Sequence, residues 1–99
     1  DLVEFKITHT YKVFSNPNTI DLKDDKLLFV SSRGPNDPES YLKRSPVNGR
    51  ITVIDVEKRE IINVFEGGNQ PTGLDVSYDG KYLCFSNFRD KNIEIYYLE

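Results

Sequence analysis

Three carboxylate pairs stand close enough in sequence to be weighed for acid–base or metal chemistry: Asp24-Asp25, Asp37 with Glu39, and Glu57 with Glu60. Each falls among turn-forming residues, where acidic side chains serve solvation and local hydrogen bonds, and that is the role expected of all three. Asp37-x-Glu39 is the most distinctive, but it lacks the regular oxygen-ligand spacing of a calcium loop. The single cysteine, Cys84, sits between Leu83 and Phe85 with no Cys or His near it in sequence. It is expected to be a small buried hydrophobe in a strand, not a nucleophile. With one cysteine and one histidine, His9, the chain can close no internal disulfide and offers no zinc-ligand set. Gly67-Gly68 precedes an apolar strand and no Gly-Lys-Ser/Thr follows, so the helix N-terminus or amide nest that holds phosphate is not expected there. The residues therefore indicate no catalytic group, no metal and no cofactor.

Composition narrows the partners. The chain has 99 residues and a formal charge of −3, with 37% hydrophobic and 12% aromatic residues. That is too apolar and aromatic for a disordered tail. An acidic balance without a Lys/Arg cluster argues against nucleic acid. No apolar run approaches the roughly 20 residues of a membrane-spanning helix, so no transmembrane segment is expected. The absence of any methionine suggests a chain that starts after processing, or a fragment of a longer protein.

The elements that must position these residues are strands. No window of the chain holds apolar residues at i, i+3, i+4 and i+7, whereas short runs rich in Val, Ile, Phe, Tyr and Thr recur. They are Leu27–Ser31, Ile51–Val56, Ile61–Phe65, Tyr82–Ser86 and Ile93–Leu98. Turn residues separate them. Tyr78-Asp79-Gly80-Lys81 reads as a tight hairpin with Gly80 at positive φ. Its loss should hurt more than that of Gly49. Asp24-Asp25-Lys26 takes the equivalent place without a glycine. Short strands and frequent turns predict an antiparallel meander.

The meander repeats. Pro17–Asp25 lies over Pro71–Asp79, Lys26–Ser32 over Lys81–Asn87, and Arg50–Ile54 over Asn92–Tyr96, with one gap at Gly80. Between the second and third strands the first copy, Arg33 to Gly49, is about 13 residues longer than Phe88 to Lys91, and without that insertion the period is about 42 residues. Asn69–Asn87, running through Pro71-Thr72-Gly73, an apolar strand, Ser77-Tyr78-Asp79-Gly80-Lys81 and Phe85-Ser86-Asn87, resembles the YVTN-type β-propeller repeat. The first copy departs from it, with Ser31-Ser32 in place of the closing Ser-Asn and no turn glycine. Arg33–Leu42 also resembles uncharacterised bacterial members of that group. The resemblance implies an all-β fold of antiparallel four-stranded propeller blades, about two of them in an incomplete ring. It also implies a periplasmic or cell-surface location.

On that frame residues 1–15 supply one or more outer strands of a preceding or closing blade. Residues 16–67 form a blade with a long insertion at 33–49, and residues 68–99 form a blade without its fourth strand. Asp21 and Asp75 recur in the innermost strands, where they would either line a central channel or accept hydrogen bonds from a neighbouring turn. Two blades cannot close a ring of the usual 4–8. The expected partners are therefore the remaining blades of a longer chain or further copies of this one.

In an antiparallel blade the connections leaving the second strand and those entering the next innermost strand share one face. Arg33, Asn36, Glu39, Tyr41, Arg44, Asn69, Gln70 and Arg89 converge there as candidate binding residues for a protein or a small polar ligand. The same loop could instead merely pack over its own blade through Pro35, Pro38, Tyr41, Leu42 and Pro46. Two functions follow. One is a non-catalytic propeller acting as scaffold or binding module. The other is part of a propeller enzyme, such as a lactonase-like hydrolase, with its catalytic residues mainly in other blades. A redox-cofactor propeller finds no axial ligand here apart from His9.

Overall fold

A computed structural model describes residues 4–99. Positions 1–3, with Leu2 of the expected opening strand, lie outside the described residues. Seven strands follow in order: β1 (Pro17–Lys23), β2 (Leu27–Ser32), β3 (Arg50–Asp55), β4 (Glu60–Glu66), β5 (Pro71–Val76), β6 (Tyr82–Asn87) and β7 (Asn92–Tyr97). They form two antiparallel meanders, a four-stranded sheet β1-β2-β3-β4 and a three-stranded sheet β5-β6-β7. Among the described residues there is no helix, so none is long and apolar enough to cross a membrane.

Local chemistry sets the turns. Asp24 (φ 53°) and Asp25 (φ 55°) are both left-handed, as a two-residue hairpin turn requires, and Lys26 N–H closes it on Lys23 O at 3.0 Å. Aspartate is among the few side chains that tolerate this region, which explains a tight turn without glycine. The other hairpin uses Gly80 (φ 73°), whose N–H donates to Ser77 O at 2.8 Å. Asp79 accepts there from Ser77 Oγ and Lys81 N.

The repeat holds at the level of single hydrogen bonds. Thr19 N–H donates to Ser31 Oγ (3.2 Å), and at the matching place Gly73 N–H donates to Ser86 Oγ (3.1 Å). Arg33 N–H reaches Asn16 O as Phe88 N–H reaches Gln70 O. Asn16 (φ 54°) and Gln70 (φ 57°) are both left-handed. The ladder shifts register just after Pro17 and again just after Pro71.

Phe29, Ile51 and Val53 of the first sheet pack on Leu74, Leu83 and Phe85 of the second, with Phe65 and Tyr96 at the margin. Tyr96 lies between Phe65 (5.1 Å between ring centres) and Phe85 (5.7 Å), and burial raises its hydroxyl pKa above the ordinary value, with Glu94 adding to the effect. At the inner edge β1 and β2 lie against β5. There Thr72 O accepts from both Thr19 Oγ1 (2.5 Å) and Ser31 Oγ (3.1 Å), and Asp21 Oδ2 accepts from Val76 N–H at 2.6 Å.

Three expectations are revised. Residues 4–16 form no strand, and Phe5 and Ile7 are exposed. A strand needs a free edge to pair with, and this segment meets none here. Cys84 is half-buried, its thiol 3.7 Å from Asp75 O. Its counterpart in the repeat, Phe29, is covered only because the second sheet lies on it. Asp21 bonds a neighbouring strand and not a turn, while Asp75 is exposed.

Candidate functional site

Segments 14–16, 33–49, 67–70 and 88–91 meet at one end of the two sheets, joined by backbone bonds from Gly34 N to Ser15 O, Gly49 N to Gly68 O and Arg89 N to Asn69 O. The insertion 33–49 is the bulk of this end. It has no strand or helix, so its backbone polar groups need partners from elsewhere. The segment leading into β5 supplies them. Asn69 accepts from Ser45 N–H (3.0 Å) and donates to Ser45 O (3.1 Å), a two-bond amide clasp. Gln70 Nε2 donates to Tyr41 O (3.1 Å) and Lys43 O (3.0 Å). Ser45 Oγ donates to Pro35 O (2.6 Å), drawing the two limbs of the loop together.

Charge completes the tether. Arg44 places Nη1 (2.6 Å) and Nη2 (2.5 Å) on Asp90 Oδ1, while Asp90 Oδ2 accepts from Asn69 N–H at 2.8 Å. One carboxylate of the second sheet thus holds both the insertion and the connection beneath it. Glu39 pairs with Lys43 at the exposed rim.

The exposed groups lie on the side of β1. Arg33, Asn36 and Tyr41 line a shallow polar cavity of about 270 Å³ together with Asn16, Pro17 and Asn18. Arg33 Nη2 donates to Tyr41 O (3.1 Å), and its guanidinium carbon lies 5.9 Å from the centre of the Tyr41 ring. Asn16 Nδ2 donates to Gly34 O (2.9 Å) and reaches Asn36 Oδ1 (3.3 Å). Among the described residues the buried side-chain atoms without a hydrogen-bond partner are Ser32 Oγ, Arg33 Nε and Gln70 Oε1, all at this end of the sheets. A planar cation beside an amphipathic ring and two carboxamides can receive a carboxylate or another planar acceptor.

The eight candidate residues therefore separate. Arg33, Asn36 and Tyr41 share one cavity. Asn69 and Gln70 are buried under the insertion and hold it; they are not offered to a partner. Arg44 is taken up by Asp90 and Glu39 by Lys43. Arg89 is exposed, and its side chain makes no hydrogen bond or ion pair among the described residues. Asn16, Ser45 and Asp90 belong to this end and were not among the candidates. Asn16 had a signal, since it occupies the repeat position of Gln70.

The chain was compared with known proteins. No family model matches it. A leptospiral antigen does. Antigen Lp49 of Leptospira interrogans serogroup Icterohaemorrhagiae serovar copenhageni is 50% identical over 98 residues, 97% of this chain and 22% of the relative. The chain thus spans about a fifth of the length of the curated relative it matches. The similarity to Lp49 takes in both sheets and the insertion, and it is a similarity to a bacterial protein.

Proposed function

We propose that this chain is a non-catalytic binding module of the YVTN-type β-propeller kind, which holds a protein or small polar ligand on the loop face through Arg33, Asn36 and Tyr41. The observation that carries this reading is the tether. A long loop is fixed by buried amides and an ion pair, yet presents a cation, an aromatic ring and carboxamides around one cavity. Binding residues concentrate on loops that a rigid scaffold positions. The hydrolase alternative places its catalytic residues mainly in other blades; on this loop face Glu39 and Asp90 are each paired with a cation and Asp37 accepts from Glu39 N–H. The two sheets and their hydrogen-bonded repeat support the propeller reading of the fold. The relative's designation as an antigen supports an exposed or secreted location for this chain, in line with the periplasmic or surface expectation.

The test is a titration of the isotope-labelled protein with a panel of carboxylate-terminated peptides, followed by amide and side-chain shifts. Shifts confined to Arg33, Asn36, Tyr41 and their neighbours, and lost in Arg33→Ala and Tyr41→Ala, support the proposal. Binding that maps elsewhere, or that survives both substitutions, overturns the assignment of the site.

A further inference from the structure

The insertion 33–49 carries three cations, and the fold treats them differently. Lys43 is neutralised by Glu39 and Arg44 by Asp90. Arg33, half-buried at the root of the loop, pairs with no carboxylate among the described residues. A backbone carbonyl holds it instead. Its Nη2 donates to Tyr41 O at 3.1 Å, and Gln70 Nε2 donates to the same oxygen at 3.1 Å. A carbonyl orients a guanidinium without cancelling its charge, and Arg33 Nε is left with no partner. The cavity wall around this cation contains no acid; its other members are Asn16, Pro17, Asn18, Asn36 and Tyr41. In a chain with 16 acidic residues against 13 basic ones, that is a departure from the average surface. The two carboxylates nearest in sequence are occupied elsewhere, Glu39 by Lys43 and Asp37 Oδ1 by Glu39 N–H. The Asn36 carboxamide is also set as a donor. Its Oδ1 accepts from Asn16 Nδ2 at 3.3 Å, which leaves its Nδ2 uncommitted. Asn16 holds the repeat position of Gln70, but it spends its amide on Gly34 O and Asn36 of its own repeat, whereas Gln70 reaches the insertion of the preceding repeat. The cavity is therefore not a second copy of the clasp that Asn69 and Gln70 make.

We propose that the loop-face cavity selects a ligand bearing a single negative charge, an organic carboxylate. This rests on the reading of the loop face as a binding site and adds the charge its ligand must carry. The carboxylate accepts from the Arg33 guanidinium and from Asn36 Nδ2, and the Tyr41 ring meets its organic part. A half-buried cation with no carboxylate beside it acts through a lower effective dielectric than bulk water, so an anion gains more there than at the exposed rim. Hydrogen bonds between ionised partners are roughly twice as strong as neutral ones, so a neutral amide of the same shape is the poorer ligand. Ionised carboxylate oxygens only accept, which suits a wall whose uncommitted nitrogens donate. One guanidinium matches one negative charge; a dianion would bring a second charge that no cation of the wall meets. The carboxylate of a small acid and that of a chain terminus share this chemistry.

The experiment titrates benzoate, benzamide and phenyl phosphate into the isotope-labelled chain near neutral pH and follows backbone and side-chain amide shifts. Benzoate is expected to shift Arg33, Asn36 and Tyr41 and to bind about tenfold or more tighter than benzamide, the difference between a charge-assisted and a neutral hydrogen bond. Phenyl phosphate binds no tighter than benzoate. Added salt weakens benzoate and leaves benzamide unchanged. Arg33→Gln abolishes the preference for benzoate over benzamide. Arg33→Lys, which keeps the charge, retains part of it. Arg89→Gln removes an exposed charge of the same sign outside the cavity and leaves the preference intact. The amide spectrum of each variant confirms its fold. An acetylated peptide with a free C-terminus, run beside benzoate, distinguishes a chain terminus from a small acid as the source of the carboxylate. Benzamide binding as tightly as benzoate at these three residues keeps the site but overturns its selectivity for an anion. So does a preference that survives Arg33→Gln, and tighter binding of phenyl phosphate overturns the single charge. If no probe shifts the three residues, the loop-face reading itself falls, and this proposal with it.

Discussion

The carboxylate of Asp21 takes backbone N–H donors from Val76 and from Leu22, and these bonds, Val76 foremost, hold its pKa below the ordinary carboxylate value. A carboxyl whose folded pKa is lowered contributes stability above its unfolded pKa, about 4, and loses that contribution as pH falls through the folded value. Melting temperatures measured from pH 7 down to pH 2 should therefore fall less steeply at the acid end in Asp21→Asn than in wild type. Parallel curves would deny Asp21 this role. Glycine gives a second prediction at this scale. A Cβ on Gly49 would lie 2.2 Å from Ser32 O and 2.3 Å from Pro71 Cδ, so backbone and ring would both have to move. A Cβ on Gly80 meets nothing closer than 3.4 Å, and the cost there is the positive φ, about 1–2 kcal/mol. Gly49→Val should lower the melting temperature more than Gly80→Val. This reverses the order expected from turn chemistry, because sequence reveals a hairpin glycine but not a close approach between segments far apart in the chain.

The insertion is an element without regular structure, and its order depends on the clasps beneath it. Gln70→Ala removes the bonds to Tyr41 O and Lys43 O; Tyr41 O keeps its donor from Arg33 Nη2, and leaving an acceptor such as Lys43 O unpaired costs about 1–3 kcal/mol. Amide exchange and proteolysis in 36–45 should accelerate while the ladders of β2, β3 and β6 keep their protection; equal acceleration throughout would show that Gln70 supports the sheets directly. Replacing Pro35–Asn48 by a short turn should remove the cavity and lower stability, since the bonds of Asn69 and Gln70 to the loop are lost and both side chains are uncovered to water. The five strands marked by apolar runs, β2, β3, β4, β6 and β7, were legible within about one residue at each end, because β-branched runs and turn residues are local signals. Residues 4–16 form no strand; the expectation for 1–15 was an outer strand of a preceding or closing blade, and such pairing is not local, so it cannot be read from these residues alone. The burial of Asn69 and Gln70 was equally hidden. Polar residues after Gly67-Gly68 resemble a solvated loop until a segment more than twenty residues away folds over them.

Across the whole molecule, one apolar core joins the two sheets, with Phe29 and Val53 on one side and Leu83 and Phe85 on the other. Neither sheet buries that face alone. Leu83→Ala, at a site with no exposure, should cost about 2–5 kcal/mol and loosen both sheets in one transition. Amide exchange read separately in β3 and β6 checks this: similar acceleration in both marks a single cooperative unit, and loss of protection in β6 alone marks two.

Asn48 and Gly49 form the dipeptide in which a carboxamide most readily cyclises onto the following backbone nitrogen, expelling ammonia and leaving aspartyl or isoaspartyl linkages. In the fold that nitrogen donates to Gly68 O at 2.9 Å, Gly49 is buried, and Asn48 Oδ1 faces the Asn69 amide at 3.4 Å. The attack needs a rotated, unencumbered backbone, which only local or global opening provides. Deamidation at this site is therefore a covalent clock for time spent unfolded, one that keeps its count after refolding. Peptide mass spectrometry after long incubation should find Asn48 intact in native buffer and converted in urea, and equal conversion in both would mean that the Gly49–Gly68 bond opens freely in the native state.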